Sequence, residues 1–440
     1  MTLRLSDLET CFEGVVPAII ATLSADGVPN ISYLSHIARV DDRHIALSNQ
    51  FFSKTASNLR AVPKATILLV DGRTGAQFRA EALYVRSESA GQTFDHVAAQ
   101  LAATSAQVGM AAVMQLRSVD VFLVTALSRV ASDTQVPTPA PAPLTLPQAA
   151  EAIREITAAD NLGDVVEAVL TAVLATTASD AASLLLCDTT RSMLSIIGSR
   201  GYDRSGIGAE IAMGEGVAGL AMQERRAVRV GDLSRVRRFG AAIQNSAEEE
   251  NRTRNIPLPG LSGALSQLAV PIFAQGQAIG VILAESLQRL AYLGEDEAAL
   301  SLVASTAGPS ITLAEWAPTK SDVGEEPPIR SPQGPEIWLA HHAQDDSVFI
   351  DGAYIIKGVA GRLLLFLADV HQSTGRVDFT NREVRLADEL RLPGYRDNLE
   401  TRLLLLQRRL DERAAPIRIT RPGRGRIRLE VTGTIVIRRS

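Results

Sequence analysis

Two stretches of this 440-residue chain are unsuited to a packed core, and they set its organisation. Residues 131–147 include VPTPAPAPLTLP, a Pro/Ala run suited to a semi-rigid extended spacer. Residues 317–335 read APTKSDVGEEPPIRSPQGP, polar and rich in proline. Neither shows hydrophobic periodicity. They leave three blocks, 1–130, 148–316 and 336–440, each with apolar segments of its own. At roughly 150 residues per domain, three domains also match the length. The formal charge of −5 gives no global attraction to nucleic acid or membrane, so such binding requires a local patch. Cys11 and Cys187 are distant in sequence and belong to no C-x-x-C or Cys/His cluster, which argues against a disulfide framework or a zinc site. The first residues lack a basic region followed by an apolar core, and no uninterrupted apolar stretch approaches ~20 residues. The chain reads as cytoplasmic, with no membrane partner.

The first block alternates in the manner of strands, over 17–24, 29–38, 44–48, 65–70, 77–85 and 119–124, with helices over 53–62 and 91–105. Short connections between such strands favour a small barrel. At the end of the third strand stands LSNQFFSKTASN, residues 47–58. A lysine between two hydroxyls at a strand-to-helix turn has two readings. Ser53 or Thr55 caps the helix, or the free N–H groups, the hydroxyls and Lys54 together hold a phosphate.

HIALSNQFFSKTASNLRAVPKATILLV followed by QFRAEA resembles the flavin-binding split barrel of the pyridoxamine 5′-phosphate oxidase family. The resemblance implies FMN, with Lys54, Ser53 and Thr55 at its phosphate. Asn49 and Gln50 would line the flavin ring, and Gln77 and Arg79 would reach the cofactor from a later strand. It also implies a homodimer with flavin held between subunits. Haem and deazaflavin are the alternative cofactors that split barrels accept. Ala82 replaces the glycine usual after Arg-x-Glu, and the C-terminal Arg/His signature for the vitamin substrate is missing, so the vitamin oxidase reaction is not expected. His36 lies in a strand pattern without a second haem cue and reads as a structural histidine.

In the middle block, helical patterns over 146–158 and 162–177 precede strand patterns over 182–188 and 193–198. Gly214, Gly216 and Gly219 spell G-x-G-x-x-G, with Asp232 downstream. That fingerprint requires a strand, a full crossover helix and a parallel strand. Only about two turns of helix fit before AVRVGD, too few to cross a sheet. The stretch resembles instead a GAF sensory domain. LSQLAVPIFAQGQAIGVILAES supplies that family's closing hairpin, and 296–316 its last helix. The resemblance implies an unidentified small ligand or dimerisation.

The last block offers short strands over 348–350 and 353–355, a helix closed near Gly375, and a capping box of Thr380 with Glu383. A helix over 381–390, a longer one over 396–413 and a hairpin turning at Pro422-Gly423 follow. LETRLLLLQRRLDERAAPIRITRPGRGRIRLEV resembles the end of OmpR-type winged-helix DNA-binding domains. From Arg396 onward twelve arginines face five acids, a net +7. Arg424, Arg426 and Arg428 alternate along one wing strand face, a spacing suited to phosphate. Arg402, Arg408 and Arg421 complete the candidate DNA contacts. Leu399, Leu403, Leu406 and Leu410 form the long helix's core stripe. Leu404 and Leu405 fall near the other face, where an exposed pair suits a protein partner.

The expected fold is therefore multidomain α+β: an N-terminal split β-barrel, a central GAF α/β sandwich and a C-terminal winged helix. The expected function is a regulatory protein coupling FMN or small-ligand binding to a DNA- or protein-binding output. The alternative is an FMN-dependent oxidoreductase regulated by its other domains. Dimerisation is expected through the barrel and GAF domains, and no metal ligands stand out.

Overall fold

The computed structural model describes residues 3–34, 36–49, 53–107, 116–131, 146–188, 191–234, 254, 256–316, 334–387, 390, 399–423 and 425–439. In the first block a 3-10 helix, Leu5–Phe12, precedes strands β1 (Ala18–Leu23), β2 (Pro29–Leu34), β3 (Ile37–Arg39) and β4 (His44–Asn49). Helix α1 (Ser53–Ala61), β5 (Lys64–Val70), β6 (Gln77–Glu88), α2 (Gln92–Gln107) and β7 (Ser118–Arg129) follow. The seven strands form one antiparallel sheet in the order β2-β1-β5-β6-β7-β4-β3. Its two edge strands, β2 and β3, are successive in the chain: one ends at Leu34, the other begins at Ile37. Three residue steps reach only about 10 Å, so the sheet must curl until its edges meet. The single strand expected over 29–38 is thus two, each pairing at a different edge. Leu5, Ile20, Leu34, Ile45, Ile67 and Phe122 fill the interior.

The middle block begins with α3 (Leu146–Ala158) and α4 (Leu162–Thr176), then β8 (Ala181–Asp188), β9 (Met193–Arg200) and β10 (Glu210–Ala212). Helix α5 (Gly216–Glu224), β11 (Val228–Val230), β12 (Ser266–Ala274), β13 (Gln277–Ser286) and α6 (Gly294–Trp316) complete it. The sheet order is β10-β9-β8-β13-β12-β11, and its neighbouring pairs are antiparallel. Val228–Val230 therefore does not return as a parallel strand, which removes the dinucleotide fold. The glycines serve the turn instead. Gly214 has φ 84°, and a side chain at Gly219 would run into the Ala212 carbonyl. Helices α3, α4 and α6 pack one sheet face around Val166, Leu170, Leu300 and Val303. Helix α5 covers the other.

The last block contains β14 (Glu336–His342), β15 (Ser347–Ile350), β16 (Ala353–Ile356), α7 (Val359–Thr374), β17 (Asp378–Thr380) and α8 (Asn381–Leu386). Helix α9 (Leu399–Glu412), β18 (Ile417–Thr420), β19 (Arg426–Val431) and β20 (Thr434–Arg439) follow. Strands β16-β15-β14-β20 make one sheet, in which β14 and β20 run parallel. Strands β17-β19-β18 make a second. The capping box at Thr380 and Glu383 is present, but α8 ends at Leu386, short of the expected 390. Among the described residues, no helix is long and apolar enough to cross a membrane, and none of their His, Cys, Asp and Glu side chains group as a metal site.

Candidate functional site

The curled sheet carries polar groups on both sides, and strand alternation assigns them. Along β6, Phe78, Ala80 and Ala82 face the core, so Gln77, Arg79 and Glu81 face outward. Ala82, the departure from the oxidase pattern, is a core residue pointing away from Arg79. The register places Tyr33, Ile19, Leu68, Arg79 and Ser128 in one outer row across five strands. Ile31, Ala21, Thr66, Glu81 and Ala126 form the next. Arg79 Nε lies 3.4 Å from Glu81 Oε1, and Thr66 donates to Glu81 Oε2 at 2.9 Å. Ile31 and Tyr33 are 69% and 73% exposed, an apolar flank beside this charged pair.

Helix α1 packs on β1 and β2. Thr55 turns inward and is buried: its Oγ1 accepts from Asn30 Nδ2 at 3.1 Å and lies 3.0 Å from Ser32 Oγ. Asn58 Nδ2 donates to the buried Thr22 hydroxyl at 3.1 Å. These bonds fasten the helix to the sheet. Lys54, one position earlier, is exposed and makes no hydrogen bond or ion pair among the described residues. Asn49 Nδ2 donates to Asp120 Oδ2 at 3.0 Å, and burial pushes the Asp120 carboxyl above its usual range. Ser53 begins α1. Gln50 lies outside the described residues. Thr55 and Asn49 thus serve structural bonds. Lys54 and Arg79 are the charged groups left facing solvent, and Arg79 stands three strands from β2, which carries Thr55's partners.

The first and middle blocks meet at a buried charged junction. Arg229 Nη2 donates to Glu13 Oε1 at 3.0 Å, and its Nη1 lies 3.3 Å from Glu297 Oε2. Gly294 N donates to Glu9 Oε1 at 2.6 Å, and Arg73 donates to the Leu290 carbonyl. Burial raises the Glu13 carboxyl from 4.5 to about 6. His36 is buried beside Gly14 and bonds Ser48 through its backbone. Its imidazole is lowered to about 4 by burial, with His96 and Arg229 adding to the effect. No sequence pattern marked this junction, because its members come from both blocks.

On the middle block's α5-side face, the buried Glu285 carboxylate accepts from Gln267 Nε2 at 2.6 Å and Leu261 N at 3.3 Å. Burial and this carboxylate push the Tyr202 phenol upward. A polar end on an otherwise apolar sheet face is a candidate place for a small ligand.

The arginines of the last block are largely engaged. Arg402 Nη2 donates to Asp188 Oδ2 at 2.9 Å. Arg408 donates to the Ile197 carbonyl and to Glu167 Oε1, both at 2.8 Å. Arg421 pairs with Glu400 at 2.8 Å and Arg428 with Asp378 at 2.7 Å. Arg426 is half-buried on β19, and Arg424 lies outside the described residues. Leu405 is buried and Leu404 half-buried, which corrects the expectation that they are exposed: the middle block covers them. A cleft of about 550 Å³ remains between α4, α9 and the β18–β19 hairpin, lined by Asp164, Glu167, Glu400, Leu404, Arg408 and Arg421 among others.

The model of the pyridoxamine 5′-phosphate oxidase family matches residues 7–126, and that of the GAF domain matches residues 159–312. The chain carries the first domain followed by the second. Among solved structures, the GAF domain of the Acinetobacter phosphoenolpyruvate-protein phosphotransferase is 20% identical. It covers 40% of this chain and 97% of its own, at a TM-score of 0.32. An FMN-binding protein from Syntrophomonas wolfei is 17% identical and covers 29% of this chain and 88% of its own, at 0.25. The free methionine-R-sulfoxide reductase of Neisseria meningitidis, in complex with its substrate, is 19% identical and covers 38% and 89%, at 0.30. No curated protein matches the chain.

Proposed function

We propose that the protein is a regulatory sensor whose N-terminal domain binds FMN and whose C-terminal block, a winged helix, delivers the output. The observation that carries the flavin reading is Lys54: an exposed ammonium at the start of α1, without a partner among the described residues, within the oxidase-family match. Hydrogen bonds at Thr55 and Asn58 fasten that helix to the sheet, which favours a preformed anion site at its start. Arg79, on the outer face, supplies a second cation. Because it stands strands away from β2, the reading includes a homodimer in which the exposed Ile31 and Tyr33 face is covered by a second copy. The GAF domain adds a second input, a small ligand at the Glu285 end of its sheet, or dimerisation. The α9 helix and the β18–β19 hairpin are the candidate output surface for DNA or a protein.

Equilibrium titration of FMN into the purified full chain tests this. Lys54→Ala is expected to weaken binding by about tenfold or more, the worth of a single charge-assisted hydrogen bond. A protein that takes up no FMN, or a Lys54→Ala variant that binds it unchanged, contradicts the reading. Turnover of bound flavin by NAD(P)H at catalytic rates would instead favour the oxidoreductase.

A further inference from the structure

Helix α9 faces two ways. Leu399, Leu403, Leu406 and Leu410 are buried in an apolar cluster shared by the last and middle blocks. The other side of the helix lies against the middle block, where Leu404 and Leu405 pack and polar contacts stand beside them. Besides Arg402 on Asp188 and Arg408 on Glu167, Thr401 donates to Glu315 Oε1 and Ser205 to Glu412 Oε1, both at 2.5 Å. One glycine admits the helix: a side-chain carbon at Gly198 would lie 2.7 Å from the Arg408 guanidinium. The ion pairs and hydrogen bonds in this interface are the part that a competing anion can exchange.

We propose that the middle block masks a nucleic-acid-binding face of the last block, with Asp188 and Glu167 occupying the two arginines that phosphate would otherwise take. This rests on the winged-helix output reading. Two anionic oxygens stand where two phosphates would compete, each held at charge-assisted hydrogen-bond distance by a guanidinium. The masked state keeps Arg402 and Arg408 from solvent at 17% and 19% side-chain exposure. Arg418, on β18, stays exposed. Undocking α9 exchanges carboxylate for phosphate at both arginines, with no change in covalent structure. A signal in the GAF domain acts by shifting β9 or α4, which carry the Ile197 and Glu167 contacts.

The test uses the full chain and a labelled random-sequence DNA duplex across a salt series. The double variant Glu167→Gln, Asp188→Asn leaves every arginine intact, and Leu404→Glu undocks the helix independently by setting a like charge near Glu167. Both are expected to bind DNA on the order of tenfold more tightly than wild type at low salt. The slope of log affinity against log salt should steepen by about two, one counterion for each arginine released. Amide exchange over 399–412 should quicken in both. Equal affinity and slope for wild type and variants overturns masking and leaves the DNA reading standing. Faster exchange without DNA binding by any form overturns the DNA reading and masking with it. Unchanged exchange in both variants overturns the claim that these carboxylates hold the helix.

Discussion

His36 and Glu13 share one buried junction and respond oppositely to pH. The His36 imidazole is held at about 4 against 6.5 when unfolded. Its stabilisation is complete above 6.5 and is lost as pH falls toward 4, about 3 kcal/mol at most. Glu13 is raised from 4.5 to about 6. Its contribution is complete below 4.5 and is lost as pH rises through 6, about 2 kcal/mol. The histidine wins, so net stability falls on acidification from 6.5 to 4. Urea unfolding across that range should show a steeper fall for Glu13→Gln and a flattened or reversed one for His36→Gln. Parallel curves for all three proteins would contradict the assignment. Among single residues the sequence was partly legible. Lys54 and the hydroxyls beside it were visible as a cluster, whereas the burial of His36 was not. That Thr55 turns inward to Asn30 and Ser32 was not, because those partners lie more than twenty residues away and come together only when α1 docks.

Helix α5 sets propensity against packing. Ala at position 219 would gain about 1 kcal/mol as a helix former, but its methyl would meet the Ala212 carbonyl. Overpacking of this kind costs about 1–3 kcal/mol, and the obstacle is backbone, which gives way less readily than a side chain. Gly219→Ala should therefore lower the thermal midpoint of the full chain; an unchanged or raised midpoint would show that the turn relaxes freely. The glycine spacing alone suggested a dinucleotide loop. What excluded it was the short distance to the next strand, which the sequence itself displays. Alternating strands such as β5 and β6, and amphipathic helices such as α3, were equally readable. The pairing of β14 with β20 was not: the two lie nearly a hundred residues apart and run parallel, so no local turn signal joins them. The split of 29–38 into β2 and β3 was hidden for a related reason, since it depends on closing the whole sheet.

Across the molecule, the blocks on either side of the proline-rich segments are not independent. Glu13, Arg229 and Glu297 tie the N-terminal domain to the GAF domain, and α9 ties the GAF domain to the last block. These joints were illegible because each draws single charged residues from separate blocks, and surface charge in one block carries no mark of its partner in another. Leu404 and Leu405 come closest: the sequence suggested an exposed pair, and the middle block covers them instead. In the proposed function, the N-terminal domain is a flavin site whose state passes through these joints. The decisive measurement is the visible absorption spectrum of the purified full chain, incubated with excess FMN and then freed of unbound flavin by gel filtration. Wild-type protein should retain flavin bands near one FMN per chain, and Lys54→Ala should lose most of that colour. A colourless wild-type protein after the column would mean that the domain is not a flavin site.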